Sequence, residues 1–230
     1  MTARTRPPFR ADHVGSLLRP AGLLADREAF AAGRIPAEQL RSAEDEAIAG
    51  VVKMQEEVGL QAATDGEFRR ASWHMDFIYQ IGGIGKAPEN LAVKFHNPSG
   101  DIEFTPAAIV VDSKVRLDHT IFGDDFRYLQ SVVTSAVPKL TIPSPNMVHY
   151  RGGAAMISPG VYPDIEEFWS DLATAYADEV ARLADLGCTY LQFDDTSLAY
   201  LNDPAQRAEI AARGDDAEHL HLRYIKQVNA

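Results

Sequence analysis

Residues 187–195 read GCTYLQFDD and place a glycine, a short apolar stretch and two carboxylates in direct succession. Gly187 is typical of a helix end, and the helical pattern before it opens with a capping-box sequence at 164–167. Residues 189–193 then predict a buried strand that ends at the two aspartates. A helix followed at once by a buried strand is the repeating unit of a parallel α/β sheet.

The same alternation is found upstream. Helices are predicted at 20–33, 36–58, 124–136 and 219–230, and strands at 60–64, 108–117 and 139–142. In the second helix the apolar residues fall at three- and four-residue steps, at Leu40, Ala43, Ala47, Val51, Met54 and Val58. Residues 80–106 are rich in glycine and proline, so they predict a long loop after the second strand, and the pattern allows one irregular hairpin within it.

Polar residues recur where the candidate strands end. They are Ser16, Asp65 with Glu67, Ser144 with Asn146, and Asp194 with Asp195. A (β/α)8 TIM-type barrel collects its active site at those ends, which favours a barrel over a doubly wound sheet. About five strands are predicted, and eight close a barrel, so we expect one partial domain over 1–230 that holds strands 1–5 with their helices.

The amino-acid composition disfavours several classes of function. The chain has 22 Lys and Arg against 33 Asp and Glu, and its net charge of −11 disfavours nucleic-acid binding. The single cysteine, Cys188, excludes an internal disulfide and predicts a structural thiol in a reducing cytoplasm. No apolar run reaches the roughly 18 residues of a membrane span. We therefore expect small-molecule partners.

The carboxylates at the strand ends are the strongest chemical signal. A buried Asp or Glu is costly unless a cation, a hydrogen-bond donor or a metal compensates its charge. Glu67 and Asp194 together suit an ammonium group. The competing interpretation is a helix cap or an ion pair with Arg19, Arg69 or Arg70. His13 also has two interpretations, as a structural histidine or as a residue of the site.

Four segments resemble one known family. RADHVGSLLRP, TDGEFRR, KLTIPSPNM and LQFDDTSLAYL are similar, in this order, to the N-terminal part of the catalytic barrel of cobalamin-independent methionine synthase, in its short single-domain branch. The resemblance implies a methyltransferase of methionine biosynthesis, which moves a methyl group from a methyl-folate to the thiol of homocysteine. It also implies zinc, which makes the thiolate, and no cobalamin.

The resemblance assigns roles to particular side chains. Ser16, Glu67 and Asp194 would hold homocysteine, with the two carboxylates on its ammonium group. Accessory positions are His13, Asp65 and Asp195, and the folate side carries Asn146 and Met147. The family's zinc ligands, which include a His-x-Cys pair, are absent from the sequence. We therefore expect no metal site in this chain, zinc ligands beyond Ala230, and no activity from these residues alone.

Two other functions stay open. One is a related alkyl transfer to another small thiol, of the epoxyalkane to coenzyme M type, which needs a cation for the sulfonate. The other is a non-catalytic half-barrel that binds a partner or an amino acid. Open barrel edges further predict self-association or pairing with a C-terminal half, through the apolar residues Leu191, Phe193, Leu220, Leu222 and Ile225.

Overall fold

The computed structural model describes residues 6–87, 93–97, 100–104, 109–150 and 152–230. Its helices are α1 (Ala21–Ala31), α2 (Ala37–Glu57), α3 (Met75–Ile78), α4 (Gly123–Val132), α5 (Asn146–Tyr150), α6 (Ile165–Asp185), α7 (Ser197–Tyr200), α8 (Pro204–Ala212) and α9 (Leu220–Val228). Its strands are β1 (Ala62–Ala63), β2 (Gly82–Lys86), β3 (Val93–Asn97), β4 (Gly100–Phe104), β5 (Ile109–Arg116), β6 (Val137–Pro138), β7 (Leu140–Pro143) and β8 (Leu191–Asp194). The fold is α/β, as the sequence predicts.

The chain divides into two compact units. Unit 1 consists of Met1–Trp73, Phe122–Ile142 and Ala181–Asp194, and unit 2 consists of His74–Ile121, Pro143–Val180 and Asp195–Ala230. The single domain over 1–230 stays a prediction.

Unit 1 contains the short strands expected from the apolar stretches. β1 pairs in parallel with β6, with Ala62 opposite Val137, and β7 pairs with β8. The strands are shorter than predicted, because only two to four residues of each stretch pair with a neighbour. The side chains of β1 and β7 are buried, and Ala63 and Ile142 have no exposed surface, whereas those of β6 and β8 are partly exposed.

The buried face of helix α2 is not the stripe of apolar residues at positions 40, 43, 47, 51, 54 and 58. Its buried residues include Ile48 and Val52, whereas Met54 in the predicted stripe is 42% exposed. Ile48 and Val52 have no exposed surface, and burial of these branched side chains stabilises the face that contains them. Four residues of the stripe line a pocket of about 580 Å³ that α2 shares with Gly22 and Leu23 of α1: Ala43, Ala47, Val51 and Met54.

The end of α2 is tied to the segment that follows α4. The carboxylate of Glu56 accepts hydrogen bonds from the backbone N–H groups of Thr134 (2.8 Å), Ser135 (2.6 Å) and Ala136 (2.9 Å). The Thr134 hydroxyl donates a further bond of 2.7 Å. The bond from Ser135 and the other donors lower the pKa of Glu56 from 4.5 to about 2.

Replacing Glu56 with glutamine is expected to lower the free energy of unfolding by about 1 to 2 kcal/mol at pH 7, because a neutral amide oxygen accepts these bonds more weakly. A lowered carboxyl pKa contributes stability above the unfolded-state pKa, and that stability is lost as the pH falls. The difference between wild type and Glu56→Gln should therefore shrink from about pH 4.5 towards pH 2.

Urea unfolding at several pH values measures this difference. The matched control is Glu57→Gln, since Glu57 is 65% exposed and its one ion pair, with Lys53, spans 3.7 Å on the same helix. That control should change stability by less than about 0.5 kcal/mol. Equal effects of the two substitutions would contradict the assigned role of Glu56.

Unit 2 differs from the long loop expected at 80–106. β2 pairs antiparallel with β5, and β3 pairs antiparallel with β4. The glycines of β2 are needed for pairing: Gly83 has a φ of +88°, and a Cβ there would lie 2.4 Å from the carbonyl oxygen of Lys114. The register shifts at this point, as at a bulge. Residues 88–92, 98–99 and 105–108 lie outside the described residues.

Of the apolar residues expected at open barrel edges, some are exposed and one is buried. Phe193, Leu222 and Ile225 are 39%, 55% and 48% exposed, whereas Leu220 is buried in unit 2. In the part of the chain that the structure describes, no helix has the length and apolar character needed to cross a membrane.

Candidate functional site

The segment 12–17 of unit 1 is held by side chains and is not a strand. Residues 6–20, all of them described, contain no strand, although the sequence predicts one ending near Ser16. The Val14 carbonyl accepts from Thr141 Oγ1 (2.7 Å), and the Gly15 carbonyl accepts from Thr64 Oγ1 (2.7 Å). Hydroxyl donors thus take the place of the backbone donors of a neighbouring strand.

Lys139 anchors the start of this segment. Its side chain is 1% exposed, and its Nζ donates to the His13 carbonyl (2.6 Å) and to Asp12 Oδ2 (3.1 Å). The Tyr190 hydroxyl also donates to Asp12. Although burial opposes it, these bonds lower the pKa of Asp12. A buried lysine is tolerated here because its charge is compensated by Asp12 and carbonyl dipoles.

Asp65 shapes the turn that presents Glu67. Asp65 is buried, and its Oδ1 accepts from the Glu67 N–H at 2.9 Å, which closes an Asx turn. Glu67 has a φ of +58°, a left-handed conformation that is uncommon for a residue other than glycine. Asp65 therefore acts on the site through the conformation of Glu67.

Glu67 is 4% exposed and lies among charges of both signs. Its Oε1 lies 3.8 Å from Nη1 of Arg70. Burial raises the pKa of Glu67, Arg70 and Arg19 lower it, and the charges of Asp65 and Asp194 raise it further. The balance is an upward shift of the pKa, so an additional cation would stabilise the charged form of Glu67.

Asp194 ends β8 and is fixed by a neighbour two residues earlier. Gln192 Nε2 donates to Asp194 Oδ1 at 2.5 Å. Burial raises the pKa of Asp194, against the lowering effects of the Gln192 hydrogen bond and the charges of Arg70 and Lys139. The structure thus brings Glu67 and Asp194 within electrostatic range of each other, and both carboxyl groups have raised pKa values.

Ser16 and His13 take different places in unit 1. Ser16 is exposed, next to Gly15. A Cβ on Gly15 would lie 3.2 Å from Glu67 Oε1, so the segment before Ser16 passes directly over that carboxylate. His13 is half-buried, and its Nε2 lies 2.9 Å from Oε1 of the buried Gln55. This contact is what a structural histidine makes.

The remaining predicted residues belong to unit 2. Asp195 accepts hydrogen bonds from the Ser144 hydroxyl (2.8 Å), the Asn146 amide (2.7 Å), and the Ser197 N–H (2.7 Å) and hydroxyl (2.5 Å). Asn146 and Met147 have no exposed surface. Asp195 therefore organises a buried polar cluster, and Asn146 is one of its donors.

A second polar group of unit 2 surrounds a neutral histidine. His149 Nδ1 lies 3.0 Å from the hydroxyl of Tyr224, and its ring lies 4.8 Å from that of Trp169. Burial lowers the pKa of His149 to about 4, although Asp215 at 3.8 Å acts in the opposite direction. His149 is therefore uncharged near neutral pH.

Comparison with known proteins decides the family. The model of the family described as "Cobalamin-independent synthase, Catalytic domain" matches residues 10–218. This chain belongs to that family. The sequence-based recognition of cobalamin-independent methionine synthase is thereby confirmed. The family's description names a synthase that is independent of cobalamin, and several curated relatives are named methionine synthases.

Cobalamin-independent synthase relatives are longer than this chain. The chain is 40% identical to uncharacterized protein YxjH of Bacillus subtilis strain 168 over 225 residues, which are 97% of this chain and 58% of that protein. A methionine synthase of Pyrococcus abyssi is 28% identical over 194 residues, which cover 83% of this chain and 52% of the other. The chain thus spans between half and three fifths of the length of the curated relatives that it matches.

A solved structure agrees with the assignment to the synthase family. The protein from Listeria monocytogenes assigned as a vitamin-B12 independent methionine synthase superposes with a TM-score of 0.77 at 38% identity. The match covers 97% of this chain and 61% of that one. A B12-independent methionine synthase from Shewanella sp. W3-18-1, at 19% identity and a TM-score of 0.55, supports the fold alone.

The synthase family implies zinc, and the described residues do not fit it. Within 6–87, 109–150 and 152–230, no three His, Cys, Asp or Glu side chains are grouped so that they could hold a metal ion. Cys188 precedes β8, at the end opposite Asp194, and its Sγ lies 3.6 Å from the Tyr190 carbonyl oxygen. Burial raises the pKa of the Cys188 thiol, which keeps it protonated.

Sequence reasoning missed the side chains that hold the site together. Lys139, Thr141 and Gln192 contact the segment 12–17 across more than 120 residues of sequence. A signal was present, since Lys139 and Thr141 are two residues apart, as are Gln192 and Asp194. Alternate residues of a strand share one face, so each pair marks a polar face of its strand.

Proposed function

We propose that this chain is part of an enzyme that moves a methyl group from a methyl-folate donor to the thiol of homocysteine. The observation that supports this best is the pair of carboxylates Glu67 and Asp194 in unit 1. Burial raises the pKa of both carboxyl groups, and the nearby cations, Arg70 and Arg19 at Glu67 and Arg70 and Lys139 at Asp194, do not fully offset it, so a further positive charge would stabilise both carboxylates. An α-ammonium group supplies that charge and the hydrogen-bond donors with it.

The nearby cations favour an ammonium ligand over an anionic one. Arg19 Nη2 donates to the carbonyl oxygens of Glu67 (2.7 Å) and Arg70 (2.8 Å). Arg70 Nη2 donates to the Thr141 carbonyl oxygen at 2.7 Å, and its guanidinium lies over the Phe122 ring at 4.3 Å. Since these donors are occupied by the fold, they support an amino acid better than the sulfonate of coenzyme M.

Within this proposal the chain's own residues bind and orient the acceptor. Glu67 and Asp194 hold the ammonium group, and the exposed Ser16 hydrogen-bonds the carboxylate end. Asp65 and His13 act indirectly, Asp65 through the turn at Glu67 and His13 through Gln55. Asn146 and Met147 stay the proposed folate-side residues, and Asp195 holds Asn146 in place.

The thiol chemistry needs groups outside the described residues. A thiol with a pKa near 8.5 is mostly protonated at neutral pH, and zinc supplies the thiolate in this proposal. We propose that its ligands lie beyond Ala230, in the part of the longer relatives that this chain does not match. The (β/α)8 barrel, with strands 1–5 in this chain, the cytoplasmic location and association through open edges are proposals of the same kind.

The test is binding of L-methionine and L-homocysteine to the 230-residue chain, measured by isothermal titration calorimetry. Glu67→Gln and Asp194→Asn are each expected to weaken binding about 10- to 100-fold, since each removes one charge-assisted contact worth about 1.4 to 2.7 kcal/mol. Binding should fall at acid pH, and its midpoint should lie above the usual carboxyl range because both pKa values are raised.

The matched controls separate the competing functions. Glu38→Gln, on the exposed first turn of α2, should leave binding unchanged. 4-Methylthiobutanoate, which lacks the ammonium group, should bind at least tenfold more weakly than L-methionine. Tighter binding of 2-mercaptoethanesulfonate than of L-homocysteine would instead favour alkyl transfer to coenzyme M, and no binding of either amino acid would contradict the proposal.

A further inference from the structure

Gln192 connects two parts of unit 1 that lie far apart in sequence. Its Nε2 donates to Asp194 Oδ1 at 2.5 Å and to the Val14 carbonyl oxygen at 3.0 Å. A primary amide has two N–H donors, and both are used by these two contacts. The side chain therefore fixes the carboxylate of Asp194 relative to the backbone immediately before Gly15.

The Val14 carbonyl has a second, independent anchor. Thr141 Oγ1 donates to it at 2.7 Å from β7, on the strand that pairs with β8. Because of this second bond, loss of the Gln192 contact leaves the segment attached, whereas Asp194 loses a partner that also fixes its rotamer. Gln192 and Thr141 thus share one acceptor, and only Gln192 also contacts Asp194.

We propose that Gln192 is a positioning residue for an α-amino acid ligand, which sets the spacing between Asp194 and the segment 14–16. The inference rests on the proposed function, in which Asp194 binds the ammonium group and Ser16 the carboxylate end. These two groups are separated by one carbon atom in every α-amino acid. A fixed spacing between their binding partners selects α-amino acids over β-amino acids and simple amines.

The pKa of Asp194 can be measured without a ligand, and it depends on the charged groups that face this carboxylate. They are Glu67 on the turn after β1, Arg70 beyond it, and Lys139 before β7. The Gln192 hydrogen bond lowers the pKa of Asp194 in opposition to burial. Without this hydrogen bond, less remains to offset the effect of burial, so the pKa of Asp194 is expected to rise.

The experiment uses the unliganded 230-residue chain with ¹³C-labelled aspartate. The carboxyl resonance of Asp194, assigned by its loss in Asp194→Asn, is followed against pH in wild type, Gln192→Met and Thr141→Val. Gln192→Met keeps the length of the side chain without its donors and should move the midpoint to higher pH. Thr141→Val removes the other bond to Val14 and should leave the midpoint unchanged.

Calorimetry on the same three proteins tests the selection of ligand. L-Methionine should bind Gln192→Met at least tenfold more weakly than wild type, and the preference over β-homomethionine should shrink. If Gln192→Met does not fold, Gln192→Asn replaces it, because the shorter amide cannot reach both acceptors. An unchanged midpoint together with unchanged affinity would overturn the inference, whereas failure of wild type to bind L-methionine overturns the proposed function.

Discussion

Replacing Gly15 with alanine is expected to abolish measurable binding of L-methionine and to lower the free energy of unfolding by about 2 to 4 kcal/mol. Gly15 has a φ of +142°, a conformation that side chains of L-residues rarely adopt. Its Cβ would lie 2.7 Å from Thr141 Oγ1 and 3.2 Å from Glu67 Oε1. Relief of the clash must move the segment away from the groups that position it.

The matched control is Gly50→Ala in α2. A Cβ at Gly50 has nothing within 4 Å, and the position is inside a helix. The same substitution is therefore expected to stabilise the chain by about 0.5 to 1 kcal/mol and to leave binding unchanged. Urea unfolding and calorimetry measure both quantities. A Gly15→Ala protein with wild-type stability and affinity would show that the segment does not pass over Glu67 as described.

The sequence predicted the elements whose signals are local. Helices at 20–33 and 36–58 are found with ends displaced by one or two residues, because proline starts and glycine ends depend only on neighbouring backbone. The apolar spacing in α2 indicated the helix but not its buried face, since that face depends on what the helix packs against. The stretch 80–106, where the sequence predicts a long loop and allows one irregular hairpin, contains β2 and the antiparallel pair β3–β4, because glycine indicates a flexible turn and a close strand contact equally well.

The candidate site was also predicted only in part. Residues with a local sequence signal were identified, and residues placed by contacts with distant parts of the chain were not. Glu67 and Asp194 could be identified because each follows an apolar stretch in the sequence. The strand expected before Ser16 is absent because Thr141, Lys139 and Gln192 occupy the carbonyl groups that a strand would use. Those contacts join residues more than 120 positions apart, and single-residue propensities contain no information on such pairs.

Replacing Asp195 with alanine is expected to lower the free energy of unfolding by about 3 to 4 kcal/mol. Its carboxylate accepts from the side chains of Ser144, Asn146 and Ser197 and from the Ser197 N–H, all in unit 2. The three donor residues have no exposed surface, so water cannot replace the lost acceptor without a cavity forming. Each donor left unpaired adds its own desolvation cost.

Two further variants distinguish the hydrogen bonds accepted by Asp195 from its negative charge and from an ordinary helix cap. Asp195→Asn keeps one acceptor oxygen and should lose less stability than Asp195→Ala, by about 1 to 2 kcal/mol. Asp203→Ala is the matched control, because Asp203 caps α8 on the surface through one bond, to the Ala205 N–H at 2.8 Å. That control should cost about 1 kcal/mol, as exposed N-caps do. Since the network consists of several buried bonds to one group, an Asp195→Ala effect no larger than that of Asp203→Ala would show that the cluster around Asp195 does not stabilise the fold.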